Sequence, residues 1–265
     1  MNLYVREMKS QLKSLILWSI GMVVFVAASF SKFEGMGSNG QTMNELMAGM
    51  PSSLQAIMGT SSFDLSKISG YYGILLMYLF LMGTIHASML GANIIAKEER
   101  DKTAEFLFTK PISRSKIIVA KMLSAITSIV LFNLVTMISC IAFVNMFGDG
   151  ESFNRDIIIT MVGLFILQLL FLSIGTAIAA VSIKPKSAAT FSTGVLLLTF
   201  VLSMVIDMNE KLSGLKFITP FKYFEAKNLM YGGVLDFAYV LLASVLIIGL
   251  TLLTFISFRK RDLNV

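Results

Sequence analysis

KEERDKTAEFLFTKPISRSK, residues 97–116, is a densely charged insert between two long apolar runs. With Lys121 just beyond it, the region carries seven Lys/Arg. So much charge cannot sit in hydrocarbon. The insert therefore lies outside a bilayer while its neighbours lie within one, and the rest of the chain is read outward from that division. The insert also has local order. Glu98 and Lys102 stand at i,i+4, with the acid ahead of the base, the favourable order on a helix. Phe106, Leu107 and Phe108 follow. Pro111 stops the helix, since it lacks the N–H and disfavours helix in the residue before it. Ser113 is placed to cap the next helix. Two readings stay open on this pattern: a solvated loop, or a short cytosolic helix presenting aromatic residues to a partner.

Composition agrees with the membrane assignment. Of 265 residues, 55% are hydrophobic and 14% charged, and the mean hydropathy is +0.78. Soluble domains carry about 25% charged residues. Apolar runs near the length needed to cross a bilayer make this an all-α polytopic membrane protein. A net charge of +6 does not indicate nucleic acid, because the basic residues cluster beside apolar runs as membrane orientation requires. Cys140 is the single cysteine and lies within an apolar run. It is a packing residue, and no disulfide framework exists. The first apolar run lacks a small-residue cleavage site and reads as a retained anchor.

The chain opens on an amphipathic segment. Tyr4, Met8, Leu12 and Leu15 recur at helical spacing opposite Arg6, Lys9 and Lys13, a pattern suited to an interfacial helix on the cytoplasmic face. Six spans follow at about 15–30, 70–96, 117–147, 156–183, 188–206 and 234–258. Residues 31–69 form a polar external insert whose Met43, Met47, Met50 and Met58 fall on a helical stripe interrupted by Pro51. That stripe predicts short surface helices packed on their neighbours. Between spans five and six, Phe217, Phe221, Tyr223 and Phe224 suit the membrane interface, and short surface helices or a re-entrant pair are expected there. The whole chain, 1–265, reads as one transmembrane domain.

Six spans put both termini on one side. That side, with the charged insert and the 184–186 turn, carries fifteen Lys/Arg, and the other side seven. The excess places the termini and the insert in the cytoplasm.

Chemical motifs are absent from the sequence. There is no G-x-x-x-x-G-K-[ST], so the chain has no phosphate loop for ATP, and no H-E-x-x-H, C-x-x-C or G-x-S-x-G occurs. Neither a catalytic residue nor a metal site is expected. His86 is the sole histidine. Inside a span it reads either as a pathway residue or as a helix–helix hydrogen bond. Asn93, Asn133 and Gln168 carry the same two readings, and Gly175 with Ala179 forms one small-xxx-small pair for close helix packing.

The order of parts resembles the type-2 ABC exporter permease family. The residues carrying the likeness are Glu98-Glu99, then Thr103-Ala104-Glu105-Phe106-Leu107, then Lys110-Pro111-Ile112-Ser113-Arg114. They are similar to the family's acidic start, its T/G-x-E-x-L core and its P-[IV]-S-R ending after the second span. The run 219–224 (TPFKYF) and the tail 258–263 (FRKRDL) are weaker matches. The resemblance implies a membrane subunit that pairs with a second permease chain, identical or paralogous. It also implies a separate cytoplasmic ATPase, which would hold ATP and Mg, with no cofactor in this chain and no nucleic acid as partner. It implies a plasma-membrane location and export by alternating access. The 97–109 stretch becomes a coupling helix, with Glu98, Glu99, Thr103, Glu105, Phe106, Leu107, Phe108 and Arg114 as the ATPase-coupling residues. The 184–187 turn becomes a second, smaller contact. Two other classes fit the composition: a non-transporting scaffold or sensor subunit, and an ion-coupled secondary transporter, which would need acids or broken helices at midplane.

Overall fold

The computed structural model describes residues 3–36, 45, 49–51, 54–55, 63–101, 113–148, 153–182 and 187–260. Six of its helices are long and apolar enough to cross a membrane: α1 Leu3–Met36, α2 Ile68–Arg100, α3 Arg114–Phe147, α4 Asn154–Val181, α5 Ala188–Met208 and α7 Phe237–Lys260. The short helix α6, Ala226–Leu229, precedes the last. Among the described residues there is no strand.

The first helix differs in extent from expectation. The amphipathic opening and the first span are one uninterrupted helix, Leu3–Met36. No proline stands between them and no cap residue halts the backbone, so the helix continues once begun. Ser113 behaves as expected: its side chain accepts from the Lys116 N–H at the start of α3.

α2 and α4 form the centre of the bundle and pack on each other more extensively than any other pair. Their contact is made by glycine on both sides. A Cβ on Gly91 would stand 2.4 Å from the Leu172 carbonyl oxygen, and one on Gly175 would stand 2.4 Å from the Ser88 carbonyl oxygen. Only a hydrogen fits at either position, so the two backbones touch, as in other close-packed membrane helices. The Ser88 and Ser192 hydroxyls then join α2 to α5, and the Thr254 hydroxyl donates to Thr176 to join α7 to α4. α1 packs along α3 on one flank. α7 packs against α4, and its Leu241, Val245, Ile248 and Leu252 are left exposed. In a bilayer such an apolar outer face needs no protein cover.

At the end of the bundle opposite the charged insert, the chain between α5 and α7 folds into two 3-10 helices, Glu210–Phe217 and Pro220–Lys222, followed by α6. The expected interfacial aromatics divide here. Phe217 is exposed, whereas Phe221, Tyr223 and Phe224 are buried. The reason is Thr219, whose hydroxyl donates to the Thr199 carbonyl and ties the segment back onto α5. Phe221 then packs between Phe171 and Phe200. Phe224 reaches Gly163 on α4. Asp156, at the start of α4, accepts from the N–H groups of Tyr231 and Gly232 at 2.7 and 3.3 Å. Both residues have positive φ (59° and 81°), so this carboxylate holds a turn that a non-glycine residue adopts only under constraint.

Candidate functional site

The insert emerges from the end of α2 and re-enters at the start of α3. The charges at this junction turn inward. The Lys121 ammonium, fully buried on α3, donates to both Glu98 carboxylate oxygens (2.6 and 2.8 Å) and to the Ile94 carbonyl (2.6 Å) on α2. An ammonium has three N–H donors, so none remains. Glu7 on α1 is 2% exposed. Its Oε2 lies 3.7 Å from Lys121 Nζ as an ion pair without a hydrogen bond, and its Oε1 accepts from Arg6 at 3.0 Å. Three helices thus meet on one buried lysine. Further side-chain bonds run beside it between α1 and α3: Gln11 donates to Ser124 at 3.1 Å, Ser128 donates to Gln11 at 3.0 Å, and Tyr4 donates to Thr127 at 3.1 Å. Arg114 adds a fourth helix by donating to the Arg259 carbonyl of α7 at 3.0 Å.

Lys121 and Glu7 were not singled out as site residues by sequence reasoning. Lys121 entered only as a unit of charge. A signal existed: on α3, Ile117, Ile118, Lys121, Ser124, Ala125 and Ser128 share one helical face, and all six are buried. A lysine on that face needs an acid opposite it. Glu98, expected beside Lys102 on the insert, has its carboxylate on Lys121 instead. Glu99 is partly exposed at the end of α2. Thr103, Glu105, Phe106, Leu107 and Phe108 lie outside the described residues, as do the 184–186 turn, most of the Met stripe of 43–58 and the end of the 258–263 tail.

The four polar residues expected along a pathway fall into three places. His86 is 3% exposed, held between Phe132 and Trp18 with ring centroids 4.6 and 5.5 Å away. Asn133 donates to the Gln168 side chain and to the Met161 carbonyl, each at 3.2 Å, and Gln168 donates to the Gly83 carbonyl at 3.4 Å. Those two form a buried tie between α2, α3 and α4. Asn93 accepts from Arg100 at 2.8 Å near the insert end of α2.

Two cavities flank the central pair. One, of about 230 Å³, lies between α1 and α2 toward the insert, with Glu7, Ser14, Trp18, His86 and Asn93 in its walls. The other, of about 220 Å³, lies at the opposite end between α2, α5, the second 3-10 helix and the start of α6. Aromatic rings line it beside a second buried lysine, Lys222, which donates to Asp207 and Glu225. Nearby, burial and the adjoining Tyr239 phenol hold the Tyr223 hydroxyl above the ordinary tyrosine range.

This is a polytopic helical membrane protein with a charged insert rooted in buried ion pairs, the architecture of a transporter's membrane subunit. The family profile described as "ABC-2 family transporter protein" matches residues 1–263, and the chain belongs to that family, as a permease component of an ABC transporter. A search of curated proteins finds no match.

Proposed function

We propose that this chain is the membrane half of an exporter of the plasma membrane, with both termini cytoplasmic. Two such chains, identical or paralogous, enclose the pathway. A separate cytoplasmic ATPase holds ATP and Mg and docks on the 97–116 insert. Its nucleotide-driven closure switches the permease between inward- and outward-facing states. The observation that carries this reading is the Lys121 cluster. The insert leaves and re-enters the bundle through two helices that are ion-paired to each other and to α1 at their ends. A push on the insert is then delivered to three spans together, as a coupling element requires. Family membership supports the ATPase partner, and the lack of a phosphate loop leaves hydrolysis to that partner.

The test separates docking from folding. An aromatic anchor buried at an interface is typically worth about 2 kcal/mol or more, so Phe106→Ala should abolish co-purification of the ATPase while leaving the thermal midpoint of the permease unchanged. Glu105→Ala should retain the ATPase and lose transport. Glu98→Ala should act on stability instead, because it strands Lys121. A Phe106→Ala permease that binds its ATPase and transports like the parent would reduce the insert to a solvated loop.

A further inference from the structure

The cavity between α1 and α2 contains more polar chemistry than packing explains. Contacts fix the register of the two antiparallel helices: Tyr71 donates to the Ser29 carbonyl, Phe25 meets Tyr78, and Trp18 meets His86. Glu7 meets Glu98 through Lys121. The slot runs from Glu7 to Trp18, eleven residues along α1, or roughly 16 Å at the helical rise. Each end holds a buried polar atom without a hydrogen bond. At the insert end it is Oε2 of Glu7, which the fully occupied Lys121 cannot serve. At the deep end it is Nδ1 of His86. Ser10 and Ser14 line the slot between them and are exposed. Leaving a buried polar atom without a hydrogen bond is unfavourable, and Glu7 and His86 on one cavity that Ser10, Ser14 and Asn93 also line point to an aqueous rather than an apolar filling. At about 230 Å³ the slot has room for a file of waters, each needing about 10–15 Å³ of such space.

We infer that the α1–α2 slot is a water-filled vestibule that opens at the insert end of the bundle, admits slim polar solutes and ends on His86. It deepens the permease reading by giving the pathway a wet end. It also explains why the sole histidine sits where a hydrophobic residue would pack as well. Phe132 stacks on one face of the ring and Trp18 lies tilted beside it, and the histidine forms part of the slot wall.

The experiment uses the purified chain in lipid nanodiscs without any ATPase, so its failure would leave the ATPase-pairing reading to its own test. Cysteines are introduced into a Cys140→Ala background at His86 and at Leu17, which is 70% exposed on the apolar face of α1 at the depth of Trp18. Both are treated with sulfonatoethyl methanethiosulfonate, which reacts in water and not in hydrocarbon. His86→Cys should react at least tenfold faster than Leu17→Cys. In the otherwise unaltered protein, iodide should quench the emission of Trp18, the only tryptophan. Ser14→Phe, which fills the slot, should cut that quenching several-fold. A His86→Cys rate no higher than that of Leu17→Cys, or quenching that Ser14→Phe leaves unchanged, overturns the inference.

Discussion

At the scale of single residues, the energetics of the insert's root turn on Lys121. A buried ion pair is a poor source of net stability, because desolvation offsets the attraction, but removing one partner strands the other and costs about 3–5 kcal/mol. Lys121→Met leaves the Glu98 carboxylate without its ammonium donor and Glu7 with its Arg6 ion pair, so the single variant should lose most of that amount. Adding Glu98→Gln removes one stranded charge and should restore part of the loss, leaving the double variant more stable than the sum of its singles. Thermal unfolding in detergent across this double-mutant cycle measures the coupling. Losses that are additive, or below about 1 kcal/mol, would mean that water reaches the cluster and the ions are not truly buried. The same residue shows the limit of sequence reasoning. That 97–116 leaves the membrane follows from charge alone, and Ser113 as the cap of α3 follows from side-chain chemistry. Which acid faces Lys121 depends on the rotation of α2 against α3, and no local pattern encodes that angle.

At the scale of elements, glycine decides how close α2 and α4 come. Gly175 was legible as half of a small-residue pair. Its counterpart Gly91 was not, because the match lies across two helices separated in sequence by a third. Since an added Cβ at either position would fall 2.4 Å from a backbone oxygen, Gly175→Ala should force the helices apart and destabilise by about 1–3 kcal/mol, the range for overpacking. Gly249 on α7 has nothing within 4 Å of such a Cβ. Gly249→Ala should be neutral or stabilising by up to about 1 kcal/mol, because alanine is the better helix former. Opposite signs for the two substitutions in the same unfolding assay are the expected outcome. Equal effects would show that α2 and α4 are not in backbone contact. The segment between α5 and α7 marks a second boundary of legibility. Aromatic content places Phe217, Phe221, Tyr223 and Phe224 near an interface. The burial of the last three depends on Thr219 and Asp156 tying the segment to α5 and α4, contacts that composition does not reveal.

At the scale of the whole molecule, orientation rests on the asymmetry of basic residues, fifteen on the side of the insert against seven. That asymmetry acts while the chain is being inserted, through Lys and Arg close to the spans, and acids contribute little to it. Among the described residues, folding afterwards buries one lysine on each side: Lys121 at the insert end and Lys222 at the other. The charge contrast is therefore hardly changed by the folded structure, and both buried lysines are paired with acids from neighbouring elements. The consequence can be read in intact cells. With Cys140 replaced, a cysteine at Ser38 or at Gly150 should react with an impermeant thiol reagent, and one at Thr103 should react only after the membrane is breached. Helices α1, α2 and α3 are shared by all these variants, so the accessibility pattern reports sidedness rather than altered packing. Labelling of Thr103→Cys from outside would invert the molecule and move the insert, with its ion-paired root and the vestibule above it, to the external face, where no cytoplasmic ATPase could reach it.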